Sequence, residues 1–75
     1  MLARKRSVSI SGHRTSFSLE DEFFDCLRML ANDQNVTLAS LVKTIDENRH
    51  RQSNLSSELR LYVLEAARKG KLAID

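Results

Sequence analysis

The 75-residue sequence contains no proline, no tryptophan and only two glycines. So few chain breakers, beside many Leu, Ala, Glu, Arg and Lys residues, favour a largely helical chain and argue against an all-β fold. This length allows one domain at most, and a core of that size is at the lower limit of what stabilises a single chain. We therefore expect a partner subunit to complete the core.

Cysteine and long apolar runs are nearly absent as well. Cys26 is the only cysteine, so no internal disulfide can form, and its helical spacing predicts a partly buried small side chain. No stretch approaches the roughly 18 to 20 apolar residues of a membrane span, and the basic start lacks the apolar run of a signal peptide. We expect a cytoplasmic protein that does not enter a membrane.

The sequence also lacks an arrangement of residues for catalysis or metal binding. His13 and His50 are far apart and have no cysteines or paired acids at ligand spacing. The acids at 20–22 have the position of charges in the first turn of a helix, and no nucleophile stands with a base and an orienting acid. We predict no enzyme activity, no cofactor and no metal site.

The net charge of +2 conceals an uneven distribution. Residues 1–15 carry four basic side chains and no acid, residues 16–47 carry a net charge of −5, and residues 48–75 carry +3. A basic end beside an acidic middle is compatible with binding to a polyanion such as nucleic acid.

Apolar residues recur at helical spacing in three segments. Thr37 and Asn54 stand where side chains cap the second and third helices, and Gly70 stands where the third ends. Ser18 has the spacing to Asp21 of a cap for the first helix. The helices are predicted at about residues 20–32, 38–49 and 55–69.

Ahead of the first helix, residues 14–19 alternate between two faces, as a short β-strand does. One face is apolar or larger, and the other is small and polar. The first face contains Thr15, Phe17 and Leu19, and the second contains Arg14, Ser16 and Ser18.

The preceding segment also alternates, but Val8 and Ile10 occupy even positions, so the phase changes near Gly12. Three explanations remain open. A flexible basic arm or a glycine bulge is favoured over a hairpin, whose turn at residues 12–13 would place Val8 opposite Phe17 and Ile10 opposite Thr15. No internal repeat is evident.

The order R-T-S-F-S-L, helix, polar turn and T-L-A-S-L-V resembles the ribbon-helix-helix family of bacterial DNA-binding proteins over about residues 13–50. With "GHRTSFSLEDEFF" and the later "NLSSELRLYVLE", the chain is similar to a subfamily of small bacterial proteins with an additional C-terminal helix. The resemblance implies a mainly α fold with one short strand, and the domain is predicted at residues 13–75. Residues 1–12 are predicted as a basic arm, with a short extra strand as the alternative.

In that family two chains pair their strands into an intersubunit antiparallel ribbon that enters the major groove of double-stranded DNA. The resemblance therefore implies an intertwined homodimer that regulates transcription. Its base-facing residues would be Arg14, Ser16 and Ser18. Its dimer core would contain Phe17, Leu19, Phe23, Leu27, Leu30, Leu38, Leu41, Val42 and Ile45.

The family also binds a DNA phosphate at the start of its second helix, where free N–H groups and the helix dipole attract an anion. The matching positions here are Thr37, Leu38, Ala39 and Ser40. Four basic side chains nearer the start of the chain are further candidates for phosphate contacts. They are Arg4, Lys5, Arg6 and His13.

Two other functions are compatible with the same fold. One is an antitoxin-like module whose last third, from Asn54 to Asp75, binds a second protein as an amphipathic helix. The other is a dimeric interaction module that has lost DNA binding, because fold alone does not determine function.

Overall fold

The computed structural model describes residues 2–50 and 52–72 as a two-stranded ribbon followed by three helices. Met1 and residues 73–75, which belong to the predicted arm and C-terminal segment, lie outside the described residues. The strands are β1 (Arg4–Ile10) and β2 (His13–Leu19). The helices are α1 (Asp21–Asp33), α2 (Leu38–Glu47) and α3 (Leu55–Arg68).

The partner of β2 is β1 of the same chain, and the two strands pair antiparallel. The prediction of one strand per chain is therefore wrong. Residues 4–10 of the predicted basic arm, residues 1–12, form the extra strand that was the less favoured alternative. The turn consists of Ser11 and Gly12, whose φ angles of 51° and 82° are both positive, as in the type I′ turns that join hairpins.

This turn lies one residue earlier than in the hairpin considered from sequence. Val8 accordingly lies opposite Thr15, and Ile10 opposite His13. A two-residue turn pairs even positions with odd ones, so the change of phase near Gly12 is what allows the apolar faces of both strands to meet the helices.

The three helices begin and end close to their predicted limits. The side chain of Thr37 accepts a hydrogen bond from the Ser40 N–H, and the side chain of Asn54 accepts one from the Ser57 N–H, so both predicted caps form. The predicted cap at Ser18 is wrong, because Ser18 belongs to β2 and α1 begins after Glu20 without a side-chain cap.

The core lies between the inward face of the ribbon and all three helices. The largest fully buried side chains are Leu19, Leu27, Leu59 and Val42, so one chain covers a core that we expected to need a second subunit. Phe23 and Leu38 of the predicted core set are partly buried. The other members of that set are buried: Phe17, Leu19, Leu27, Leu30, Leu41, Val42 and Ile45.

The third helix connects the ribbon to the rest of the molecule. It packs against α1, α2 and β2. The Ser18 N–H, on the edge of β2, donates to Ser56 Oγ at 3.1 Å, so the first turn of α3 occupies part of the edge at which another strand would pair.

Candidate nucleic-acid interface

The outward face of the ribbon is formed by alternate residues of both strands. Successive side chains of a strand point to opposite sides, and the positions that alternate with the apolar ones are exposed here. Its cross-strand pairs are Lys5 with Ser18, Ser7 with Ser16, and Ser9 with Arg14.

The outward face is basic and sterically open. Lys5 and Arg14 lie at diagonally opposite corners, and the other four side chains are serines, whose short hydroxyl groups both donate and accept hydrogen bonds. The face contains no carboxylate, so nothing on it repels a polyanion.

The three base-facing residues predicted from sequence all lie on this face, but β1 contributes as many residues again. Lys5, Ser7 and Ser9 are not expected on this face from the sequence unless β1 pairs with β2. Their signal was available: they alternate with Val8 and Ile10, whose side chains lie on the inward face.

Arg6 lies on the opposite, inward face, so the prediction that Arg4, Lys5 and Arg6 act together as a phosphate-binding arm is corrected. The Arg6 side chain is only 17% exposed and forms an ion pair with Asp21. Its Nε donates to the Leu19 carbonyl oxygen at 3.3 Å, and its guanidinium lies 4.0 Å from the centre of the Phe24 ring. Arg6 therefore fastens β1 to the start of α1.

Arg4 and His13 lie at the two ends of the hairpin. Arg4 is exposed, and its Nε lies 3.8 Å from Asp21 Oδ1. His13 begins β2 directly after the turn and is also exposed. Both side chains are exposed at the ends of the hairpin, although their cross-strand partners, Leu19 and Ile10, belong to the inward face.

The amino end of α2 provides a different type of anion site. The Ser40 N–H is already bonded to Thr37 Oγ1 at 3.0 Å, which corrects the prediction that the Ser40 N–H binds phosphate. The N–H groups of Leu38 and Ala39 are the first two of the helix, and an α-helix supplies no acceptor for them. These two groups and the Ser40 hydroxyl are the hydrogen-bond donors at this end of α2.

A shallow cleft joins this helix end to the tip of the hairpin. It brings the serines of the turn region next to the first turn of α2 and adds Lys43, a basic residue that the sequence analysis missed. Lys43 is exposed one turn after Ala39. That helical spacing is the only feature of the sequence that places Lys43 beside the start of α2. The cleft is lined by Ser9, Ile10, Ser11, Thr37, Ala39, Ser40 and Lys43.

A second exposed surface, which we call the apolar groove, lies between α1 and α3. Leu61 and Leu64 are 56% and 50% exposed, although both are large aliphatic side chains. The partly buried Phe23 and Cys26 form the opposite wall. Exposed aliphatic side chains grouped in this way are typical of a contact surface for another protein.

Metal sites and membrane-spanning helices were sought within residues 2–50 and 52–72. Over these ranges no three His, Cys, Asp or Glu side chains come together as a metal site would require. The helices found there are also too short or too polar to cross a membrane.

Comparison with known proteins agrees with this geometry. A family model described as a ribbon-helix-helix domain matches residues 3–67, a range that contains both strands, the first two helices and nearly all of α3. Neither the curated proteins nor the solved structures contain a match to the chain.

Proposed function

Because the chain belongs to the ribbon-helix-helix family, whose members typically bind DNA as transcription regulators or antitoxins, we propose that it binds double-stranded DNA and regulates transcription in the bacterial cytoplasm. The observation that carries the proposal is the outward face, with two basic corners and four serines on an exposed ribbon. A two-stranded ribbon fits the major groove, which is about 12 Å wide.

The residues of the outward face have distinct roles in this proposal. Arg14 donates two hydrogen bonds to O6 and N7 of a guanine, the most common specific contact in the major groove. Lys5 contacts a second guanine from the opposite corner. The serines let the ribbon approach the bases closely and form less selective hydrogen bonds.

The helix end positions the ribbon on the duplex. The N–H groups of Leu38 and Ala39, the Ser40 hydroxyl and the Lys43 ammonium bind a phosphate beside the groove. Arg4 and His13 contact phosphates at the two ends of the hairpin. The acidic side chain of Asp21 does not oppose this binding, because Arg4 and Arg6 lie against it.

Fluorescence anisotropy with labelled duplexes tests the proposal. Binding should weaken steeply between about 50 and 200 mM salt, because phosphate contacts release counterions. Arg14→Ala should lose more affinity for a selected site than for random duplex, by about 1–3 kcal/mol. Arg68→Ala, which removes the same charge from the exposed end of α3, is the matched control and should change neither value.

Two results would contradict this proposal in different ways. Equal losses by Arg14→Ala on selected and random duplexes would exclude base recognition by Arg14. Absence of binding at low salt would exclude the DNA-binding function and favour a protein interaction module.

The family also forms dimers, and we propose that a second copy of the chain covers the apolar groove. Pairing through β2 is disfavoured, because β1 occupies one edge and Ser56 bonds to the other. The groove offers Leu61 and Leu64 instead, and burying them removes apolar surface from water.

An antitoxin-like role is the second candidate, and the same groove favours it by accepting a helix of another protein. The solution mass separates the two candidates. A dimer that becomes monomeric in a Leu61→Glu, Leu64→Glu double variant supports the homodimer. A monomeric wild type at about 100 μM excludes it and leaves the groove for another protein.

A further inference from the structure

The two strands of the ribbon share a pattern of residue types, and they are identical at two of their seven positions. β1 reads R-K-R-S-V-S-I and β2 reads H-R-T-S-F-S-L. With an offset of nine residues, six of the seven positions match in type: two basic residues, then serine, an apolar residue, serine and an aliphatic residue. Only Arg6 and Thr15 differ in type.

Because of the register of the hairpin, this repeat gives the ribbon a local two-fold symmetry. Ser7 lies opposite Ser16, its own counterpart in the repeat. The pair Lys5 with Ser18 becomes the pair Arg14 with Ser9 when each residue is exchanged for its counterpart. A local two-fold axis through the Ser7 and Ser16 pair therefore relates the outward residues of β1 to those of β2.

Packing does not account for the symmetry of the outward face. The inward face must be apolar in both strands because it covers the core, but the outward side chains are exposed. The repeat fails where the ribbon meets the asymmetric helices: Arg6 contacts Asp21 and Phe24, and its counterpart Thr15 is a small residue. The symmetry is therefore kept on the exposed side of the ribbon.

Resting on the proposed DNA-binding function, we propose that the ribbon of a single chain recognises a short, nearly palindromic DNA element. In protein–DNA complexes the symmetry of a binding site mirrors the symmetry of the protein that reads it. Here the two-fold axis of the ribbon coincides with the dyad of the duplex. Lys5 and Arg14 then each contact one guanine, on opposite strands and on opposite sides of that dyad.

The geometry of the ribbon determines the expected spacing between the two guanines. Lys5 and Arg14 are separated by four residue steps along the ribbon, because Lys5 pairs with Ser18 and Arg14 pairs with Ser9. At ~3.4 Å per residue this is ~14 Å, or about four base-pair steps of ~3.4 Å. The serines lie over the central base pairs and tolerate several sequences there.

Selection of bound duplexes from a randomised pool at low salt tests this inference. The wild-type protein should select two guanines, one on each strand, about four steps apart. Lys5→Ala and Arg14→Ala should each reduce the motif to one guanine, with roughly tenfold lower affinity for the full element. Lys5→Arg should tighten binding to the perfect palindrome, and Lys69→Arg, on the exposed end of α3, should not.

Other outcomes overturn the inference in recognisable ways. Loss of both guanines in a single variant means that two chains contribute the same residue to two halves, as in an intersubunit ribbon. A selected motif without symmetry removes the role of the two-fold axis but leaves the DNA-binding function intact. If no duplex is retained, the DNA-binding function itself fails and the inference fails with it.

Discussion

Arg60 of α3 binds both carboxylate oxygens of Glu20, the residue that immediately precedes α1. Arg60 Nε donates to Oε1 at 2.9 Å, and Nη2 donates to Oε2 at 3.2 Å. Because Glu20 directly follows β2, this pair connects the end of the ribbon to α3. It therefore helps to fix the angle at which the ribbon leaves the helices.

The Glu20 and Arg60 pair should make stability depend on acid. The hydrogen bonds from Arg60, with the Glu20 backbone N–H, hold the pKa of Glu20 below its ordinary value of 4.5. A carboxyl group with a lowered folded-state pKa stabilises the fold above its unfolded-state pKa, and that stabilisation is lost as the pH falls through the folded-state value.

Arg60→Gln should accordingly lower the melting temperature at pH 7, because it removes the ion pair with Glu20. The decrease should be only roughly a few degrees, because the pair is partly exposed. The difference from wild type should shrink below pH 4.5 as Glu20 becomes protonated. Thermal melts followed by circular dichroism between pH 3 and pH 7 measure it. A difference that stays constant over that range would exclude the ionised Glu20 as its source.

Lys5→Ala and Arg6→Ala should affect different properties, DNA binding and stability respectively, although the residues are neighbours and each variant removes one positive charge. Lys5→Ala should weaken binding to the selected site more than binding to random duplex, by about 1–3 kcal/mol, with little change in stability. Arg6→Ala should destabilise the fold by about 1–2 kcal/mol, because it loses the contacts with Asp21 and Phe24. Anisotropy titrations and urea unfolding measure the two effects, and similar profiles for both variants would contradict the assignment of faces.

Leu59 and Leu61 offer a matched pair on one helix. Leu59 is fully buried, so Leu59→Ala should destabilise the fold by about 2–5 kcal/mol. Leu61 is 56% exposed, and Leu61→Ala should change the stability of the single chain by less than about 0.5 kcal/mol. Urea unfolding at low protein concentration compares them. A large loss in Leu61→Ala that grows with protein concentration would instead indicate that a second chain covers this residue.

The turn residues Ser11 and Gly12 should respond in opposite directions. Ser11 has a φ of 51°, which Asn adopts more readily, so Ser11→Asn should stabilise the hairpin by about 0.5 kcal/mol. Gly12 has a φ of 82° and open space where a Cβ would lie, so Gly12→Ala should cost about 1 kcal/mol through backbone strain alone. Unfolding free energies decide this, and a stabilising Gly12→Ala would rule out the positive φ.

Much of the helical part could be predicted from sequence, because helix periodicity and capping are local signals. Thr37 and Asn54 cap the helices at the expected positions, and the buried stripe follows the 3.6-residue period. The inward position of Arg6 also follows from alternation, since Arg6 shares its parity with Val8 and Ile10, although its charge favours an exposed position.

The rest depended on pairings that no local pattern specifies. A serine in the left-handed region at Ser11 is uncommon, so the turn was placed one residue too late. The alternation of β1 and the strand repeat can both be read in the sequence, but only the register of the hairpin places the outward residues of the two strands on one face. The contact between Glu20 and Arg60 spans 40 residues of chain, and only the packed helices bring the two side chains together.

Because a two-residue turn joins the strands of the ribbon, the dependence of DNA binding on protein concentration also changes. Folding of the hairpin is unimolecular, so the fraction of chains that carry a complete ribbon does not fall on dilution. A ribbon shared between two chains disappears below the dissociation constant of the dimer, and its occupancy of DNA rises with the square of protein concentration. In the proposed binding of DNA by the ribbon of a single chain, occupancy follows a simple hyperbola even at very low copy number.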